Sequence, residues 1–189
     1  CDCTIDLHDA VLTEIADFRD ATFTNDAYFR GATFNHNAYF GGATFTHDAH
    51  FLGATFTHAY FQGATFTHDA GFLGATFTHA YFQGATFTHA NFQDATFTHA
   101  NFLGATFTHA YFQGATFTHA NFRGATFTHA YFQGATFTHD ANFWGATFTH
   151  AYFQGATFTR SAPPMGRPPE PVDEDGLPHG ARWADADDE

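Results

Sequence analysis

Residues 54–63 read Ala-Thr-Phe-Thr-His-Ala-Tyr-Phe-Gln-Gly, and the same ten residues recur at 75–84, 105–114, 125–134 and 146–155. Each copy consists of two five-residue units. In both units Ala precedes Phe by two positions, and a polar or aromatic residue stands between them. The five-residue unit is therefore the elementary repeat, and its Phe is called position i below.

All 28 Phe residues of the 189-residue chain occupy position i, from Phe18 to Phe158, in steps of five or six residues. Leu, Ile and Val are nearly absent after residue 15, which excludes an ordinary aliphatic core. We therefore expect every Phe ring to face inward. We also expect each six-residue step to form a corner bulge whose extra residue faces water. These extra residues are Asp26, Asn37, Asp48, Asp69 and Asp140.

A period of five matches neither an α-helix nor a β-strand. Regular Gly and repeated Thr-Phe-Thr disfavour a helix, and the same Gly residues disfavour long strands. What remains is a solenoid in which each unit makes one short extended side and a corner. We expect the Gly at i+2 of alternate units to relieve an unusual backbone dihedral at that corner.

The units Ala-(Asp/Asn/Tyr/Thr)-Phe-x-x resemble the pentapeptide-repeat family, whose motif is Ala-(Asp/Asn)-(Leu/Phe)-x-x. The resemblance covers about residues 5–160. It implies an all-β fold, a right-handed quadrilateral β-helix of about seven coils with four units per coil. It also implies that i and i−2 point inward and that i−1, i+1 and i+2 point outward. Family proteins usually mix Leu and Phe at i, whereas this chain uses Phe throughout.

We divide the chain into three segments. Residues 1–15 are interpreted as degenerate repeats or a cap, with an amphipathic helix over 4–16 as the alternative. Residues 16–160 form the β-helix. Residues 161–189 are rich in Pro and acid and are expected to be disordered, with a docking motif around 177–183, anchored by Trp183, as the alternative. Cys1 and Cys3 are too close for an unstrained bridge and are interpreted as incidental thiols, or as half of a metal site.

The formal net charge of −13 lies mainly at the ends: −4 in residues 1–15, −6 in 161–189 and −3 in 16–160. We expect no direct binding of nucleic acid. No run of 18 apolar residues is present, so no membrane-spanning helix is expected. We expect a cytoplasmic protein, and a processed or truncated N-terminus because residue 1 is not Met.

Sorting the units by four stacks identical outward side chains into ladders. The candidate binding residues are Tyr39, Tyr60, Tyr81, Tyr111, Tyr131, Tyr152, Thr86, Thr88, Thr106, Thr108, Thr126 and Thr128. The other interpretation is that repeat duplication alone produced these ladders. Two His edges are also expected, one of His47, His68, His89, His109, His129 and His150, the other of His36, His58, His79, His99, His119 and His139.

Imidazole suits zinc, copper and nickel, which makes His89, His109 and His129 weak metal candidates. No carboxylate or thiolate accompanies them at regular spacing, so we expect no specific metal site and no cofactor. Stacked His residues should lower one another's pKa in the folded state. Thr-His neighbours recur along the whole repeat, which indicates tiling rather than one catalytic site, so we expect no enzyme.

The sequence favours a non-enzymatic scaffold or binding module that presents Thr, His and Tyr ladders to a protein partner. An end-to-end homodimer is a further option, because open β-edges at a solenoid's ends invite pairing. One alternative, implied by the resemblance, is a DNA-mimic modulator of the type II topoisomerase gyrase. The charge of −3 weakens it, because mimicry requires strong negative charge. The other alternative is an ice- or surface-binding solenoid, suggested by the Thr-x-Thr pattern.

Overall fold

A computed structural model of the chain describes residues 4–159 and 182–183, without the side chain of Trp183. These residues form an all-β solenoid of short strands and contain no helix. The strands are β1 (Ile5–Asp6), β2 (Val11–Leu12), β3 (Ala16–Asp17), β4 (Thr22–Phe23), β5 (Ala27–Tyr28), β6 (Thr33–Tyr39), β7 (Thr44–Phe45), β8 (Ala49–His50), β9 (Thr55–Tyr60), β10 (Thr65–Gly71), β11 (Thr76–Tyr81), β12 (Thr86–Asn91), β13 (Thr96–Asn101), β14 (Thr106–Tyr111), β15 (Thr116–Asn121), β16 (Thr126–Tyr131), β17 (Thr136–Asn142), β18 (Thr147–Tyr152), β19 (Thr157–Phe158) and β20 (Arg182–Trp183).

The strands pair in parallel within two sheets, each strand lying against its equivalent one coil further along the chain. In β11 and β13, for example, Thr76 lies opposite Thr96 and Phe77 opposite Phe97. A register of twenty residues corresponds to four five-residue units per coil. The chain therefore forms a parallel solenoid of about seven coils, as expected.

The Phe rings fill the interior of the solenoid. Rings in neighbouring coils stack in parallel, as in the Phe77–Phe97 pair at 4.9 Å and the Phe97–Phe117 pair at 5.0 Å. Rings within one coil meet edge to face, as Phe97 and Phe102 do at 5.7 Å. The Ala residues at i−2 are buried between the rings and the wall, apart from the partly buried Ala10, Ala21, Ala146 and Ala151 near the two ends. The inward orientation of Phe is confirmed, with only Phe18, Phe23 and Phe148, near the two ends, partly buried.

The corners require a left-handed backbone. Twelve Gly residues at this position have φ between 63° and 70°, and Asp9, Asp20 and Asp94 take the same place with φ between 52° and 56°. A Cβ added to Gly84 would meet no atom within 4 Å. The need for Gly at that corner is therefore conformational and not steric, as the repeat predicted.

Three of the five six-residue steps, at Asn37, Asp69 and Asp140, are bulges, as expected. The register shifts between Phe34 and Asn37 and between Phe66 and Asp69. Asp140 accommodates its extra residue with a φ of 30°. Asp69 and Asp140 are exposed, whereas Asp26, Asn37 and Asp48 are half-buried. The expectation that the extra residues face water therefore holds fully only for the first two.

Strands β1, β2 and β3 occupy residues 5–17, where a helix was the alternative. Leu7 and Leu12 are partly buried against the Phe core, so these residues continue the repeat. At the other end β20 pairs with β19, and the Arg182 amide donates to the Ala156 carbonyl at 2.8 Å. Apart from Arg182 and Trp183, the predictions for the tail lie outside the described residues, as do those for Cys1 and Cys3. In the part of the chain that the structure describes, no helix is long and apolar enough to cross a membrane.

Candidate interaction surfaces

Two ladders of stacked Tyr rings run along opposite sheets, as the sorting by four predicted. Tyr60 stacks on Tyr39 at 4.8 Å and on Tyr81 at 4.9 Å. In the second ladder Tyr131 stacks on Tyr111 at 5.0 Å and on Tyr152 at 5.2 Å. Burial, and then the neighbouring Tyr81 and Tyr39, raise the pKa of Tyr60. The rings therefore present their edges and hydroxyl groups outward, and ring faces are open only at the ends of each ladder.

One ladder end is closed by a cation of the chain itself. The Arg19 guanidinium lies over the Tyr39 ring at 5.1 Å from its centroid. It also binds the Asp17 carboxylate through Nε at 2.9 Å and through a terminal nitrogen at 2.5 Å. These hydrogen bonds hold the pKa of Asp17 at about 2. The ladder surface can therefore hold a guanidinium that lies over a Tyr ring and pairs with a carboxylate.

The predicted Thr ladders are present and stay in register. Thr86 lies opposite Thr106, and Thr106 opposite Thr126. These three side chains are exposed, as is Thr108, whereas Thr88 is half-buried. Thr128, the last of the Thr candidates, is half-buried like Thr88. The Thr candidates thus form two parallel rows of hydroxyl and methyl groups two residues apart.

The predicted His edges are wrong at two positions. Asp69, and not His68, lies opposite His89, and Asn37, and not His36, lies opposite His58. The physical reason on the first edge is a chain of backbone hydrogen bonds to carboxylates. The Asp48 amide donates to Asp26 and the Asp69 amide to Asp48, each at 3.2 Å. The inserted acids therefore hold the register and displace His68.

The remaining His residues form stacked ladders. His89, His109 and His129 stack at 4.9 and 4.8 Å between ring centroids. Burial is the largest cause that lowers the pKa of His109, followed by the charges of His89 and His129. The predicted direction is confirmed for His109, but like charge is the secondary cause. In the described residues no group of three or more His, Cys, Asp or Glu side chains is placed to hold a metal ion.

A groove of about 490 Å³, called the acidic groove below, interrupts the second ladder where its rings are missing. The rungs there run His50, Gly71, Asn91 and Tyr111 in register. Asp48 and Asp69 line the groove from the neighbouring column. Sorting the units by four placed His50, Gly71, Asn91 and Tyr111 in one column, but it did not predict the groove. The signal for it was present, because Gly71 stands where the other units of this column carry Asp, Tyr, Asn or His.

A second groove of about 470 Å³ lies on the other sheet, where the first ladder changes from Tyr to Asn. Tyr81, Asn101, Asn121 and Asn142 supply its rungs, and Asp140 is the acid that lines it. The two grooves share Ala, Asn and His linings. They differ in that two carboxylates line the first and one lines the second.

Comparisons with known proteins give a consistent result. A family model described as pentapeptide repeats, with nine copies, matches residues 7–55 and 102–147. A second model of the same description, with eight copies, matches residues 75–114 and 139–161. No curated protein sequence matches the chain significantly.

Among solved structures, a trypsin-treated variant of QnrB1, a plasmid-mediated fluoroquinolone resistance protein, is 19% identical with a TM-score of 0.47, covering 98% of this chain and 92% of that one. HetL, a pentapeptide repeat protein involved in heterocyst differentiation regulation from the cyanobacterium Nostoc sp. strain PCC 7120, is 17% identical with a TM-score of 0.44, covering 86% and 84%. The family models match more than half of the chain. With its four-unit coils and inward Phe and Ala, this chain belongs to the pentapeptide-repeat family.

Proposed function

We propose that this protein is a non-enzymatic scaffold that binds a protein partner through its outward ladders, with the Tyr ladders as the main contact. The observation that carries the proposal is the pair of continuous Tyr columns, Tyr39–Tyr60–Tyr81 and Tyr111–Tyr131–Tyr152. Tyr is enriched at protein interfaces because it combines a large apolar ring with a polar tip.

The rigidity of the rod supports this role. Apart from Tyr152 in the terminal strand β18, the Tyr rungs are anchored on backbone that pairs on both sides, over a core of buried Phe. Because partner contacts on a rigid surface cost little ordering entropy, a pre-formed ladder suits recognition. Repeat solenoids commonly bind partners along such extended surfaces.

The charge of the rod favours a protein contact over mimicry of DNA. Seven coils about 4.8 Å apart make a rod about 34 Å long, and duplex DNA of that length carries about 20 negative charges. Residues 16–160 carry a net charge of only −3. We therefore expect no inhibition of gyrase supercoiling at micromolar protein, and inhibition in that assay would restore the topoisomerase alternative.

The exposed Thr rows keep the ice-binding alternative testable, since Thr86, Thr106 and Thr126 repeat in register on an extended surface. Thermal hysteresis of the wild type, lost in a Thr106→Leu, Thr108→Leu variant, would support that alternative. We expect no thermal hysteresis from either protein.

The scaffold proposal includes an end-to-end homodimer. Among the described strands none pairs with the outer edge of β18, and Trp144 and Tyr152 near this end are exposed. An open edge of six residues is a template for a second chain. Light scattering of the full chain is expected to give twice the monomer mass, and a Trp144→Glu variant, which places a charge on an exposed apolar side chain near that edge, is expected to give the monomer mass. A wild type of monomer mass at all concentrations would refute this part of the proposal.

The main test compares three immobilised full-length proteins in an extract of the source organism. One is the wild type. In the second all six ladder Tyr residues are changed to Asn, the residue that occupies equivalent rungs at Asn101 and Asn121. The third carries Thr→Val changes at Thr86, Thr106 and Thr126. We expect one set of proteins to bind the wild type and the Thr variant but not the Tyr variant. Equal retention by the Tyr variant, or no retention by the wild type, would refute the proposal.

A further inference from the structure

The acidic groove combines an aromatic ring face with carboxylates, as does the site that Arg19 occupies, but no Lys or Arg among the described residues lines it. At the end of the first ladder, a guanidinium lies over Tyr39 and pairs with Asp17. In the acidic groove, ring faces and carboxylates again lie together. Tyr111 stacks on Tyr131 on one side only, because the next rung is Asn91. His50 stacks on Tyr28 on one side only, because the next rung is Gly71.

The two rungs without rings, Gly71 and Asn91, leave room for flat groups. Rungs of paired strands are about 4.8 Å apart, so about 14 Å separates the ring levels of His50 and Tyr111. Asn91 does not fill this space as a ring does, because its side-chain oxygen accepts a hydrogen bond from the Gln93 amide at 3.0 Å. The gap therefore has the thickness of two further stacked planar groups.

The backbone does not require the gap at Gly71. Its φ lies outside the left-handed region that the corner Gly residues occupy. A Cβ added there would lie 3.1 Å from Leu52 Cδ1, the end of a flexible side chain, and 3.8 Å from the Ala49 carbonyl oxygen. A side chain could therefore stand at this rung, as it does in other coils, and its absence opens the groove.

The charges that face the groove select the ligand. Asp48 and Asp69 contribute two carboxylates, and the oxygen of Asp69 lies 3.5 Å from His89 Nδ1. Among the described residues no Arg lines the groove, so its formal charges are the two carboxylates. A planar cation matches both the flat gap and the carboxylates, and the guanidinium of Arg is the planar cation of proteins.

We propose that the acidic groove binds an Arg side chain of the partner protein, with its guanidinium stacked on the Tyr111 ring and paired with Asp69 and Asp48. The inference rests on the proposed function, because it gives the chemistry of one contact with that partner. The second groove ends in the comparable ring of Tyr81 but has the single acid Asp140, so it serves as an internal control.

The test is a titration of the full-length ¹⁵N-labelled protein at pH 8 with the peptide acetyl-Gly-Gly-Arg-Gly-Gly-amide, followed at the backbone amide of residue 71. We expect saturable shifts with a Kd on the order of 1 mM, as for a single stacked ion pair. A peptide with citrulline in place of Arg, which is planar but neutral, is expected to bind about tenfold more weakly. A Lys peptide, which is charged but not planar, is expected to bind several-fold more weakly.

Two variants of the groove and one control locate the site. Gly71→Tyr fills the empty rung, and Asp48→Asn with Asp69→Asn removes the charge. Each is expected to weaken Arg-peptide binding at least tenfold while the circular dichroism spectrum stays unchanged. Asn101→Tyr fills the equivalent rung of the second groove and is expected to leave binding within about twofold of the wild type. If Gly71→Tyr does not fold, the Asp variant alone decides the result.

Several results would overturn the inference: no saturable shift, equal binding of the citrulline or Lys peptide, or unchanged binding after removal of both carboxylates. Its failure is distinguishable from failure of the proposed function. Tyr-dependent capture of a partner without Arg-peptide binding would refute only the groove's role. Arg-peptide binding without Tyr-dependent capture would refute the ladder proposal instead.

Discussion

Removal of one ring from the middle of the rod is expected to be severely destabilising. Phe97 is fully buried and stacks on Phe77 at 4.9 Å and on Phe117 at 5.0 Å. It also meets Phe102 edge to face at 5.7 Å. Phe→Ala in a packed core costs about 3–5 kcal/mol. We expect Phe97→Ala to reach the upper part of that range, because the backbone ladders on both sides prevent the walls from collapsing into the cavity.

The assay is thermal unfolding followed by circular dichroism. For a chain of this size, each kcal/mol shifts the melting temperature by about 2–4 °C, so a loss of about 8–20 °C is expected. Phe148→Ala provides the matched comparison, since Phe148 is only partly buried and lies in the last full coil. It stacks on Phe127 at 4.9 Å, and no described coil stacks on its other face. We expect about half the effect there.

Equal shifts of the melting temperature in Phe97→Ala and in the outward control Thr96→Ala would contradict this expectation. An equal loss in Phe148→Ala and Phe97→Ala would also contradict it, because stability would then not depend on the depth of a ring in the stack. A broad, multistep transition in the Phe97 variant would be consistent with a solenoid, in which each coil contacts only its neighbours.

Three further outcomes follow from single residues. Because the pKa of His109 is lowered in the folded state, the unfolded chain binds a proton more readily. The contribution of His109 to stability is therefore full above about pH 6.5 and is lost as the pH falls. Between pH 8 and pH 5, the melting temperature of His109→Gln should fall by less than that of the wild type. Gly84→Ala at a φ of 64° should cost about 1–2 kcal/mol, whereas Gly71→Ala should change stability by no more than about 0.5 kcal/mol in chemical denaturation. The Asp17 carboxylate, with a pKa of about 2 beside Arg19, should remain ionised at pH 3 in an NMR titration, and a midpoint near 3.8 would show that the ion pair does not form.

The interior could be predicted from sequence almost completely, because it depends on a single strict rule. Each unit supplies one large ring and one small side chain, and only a closed coil buries both at once. The end residues follow the same rule with Leu7 and Leu12 in the Phe position, and they form strands. Burial of apolar area is therefore enough to specify the core even where the repeat is degenerate.

The outer columns could not be predicted near the bulges, because an extra residue can be absorbed on either side of the His position. At Asp69 the carboxylate-to-amide hydrogen bonds with Asp48 and Asp26 keep the acid in the column. At Asp140 the opposite occurs, since His139 stays opposite His119 and the extra residue takes a φ of 30°. Between these two residues the difference is that Asp48, one coil below Asp69, accepts its amide, and no count of residues within one unit contains that information.

In a chain built from near-identical units, the informative residues are those that depart from the unit without a reason in the backbone. The corner Gly residues are explained by their positive φ and the inward Phe residues by burial in the core. The outer ladders can arise by duplication of the unit alone. Gly71 has neither explanation, since its φ allows a side chain and its neighbours in the column carry one. Its position beside the only run of stacked acids among the described coils, Asp26, Asp48 and Asp69, places two independent departures at one site. That coincidence is why the acidic groove, and not a regular stretch of ladder, is the place where we expect specificity for a partner to be determined.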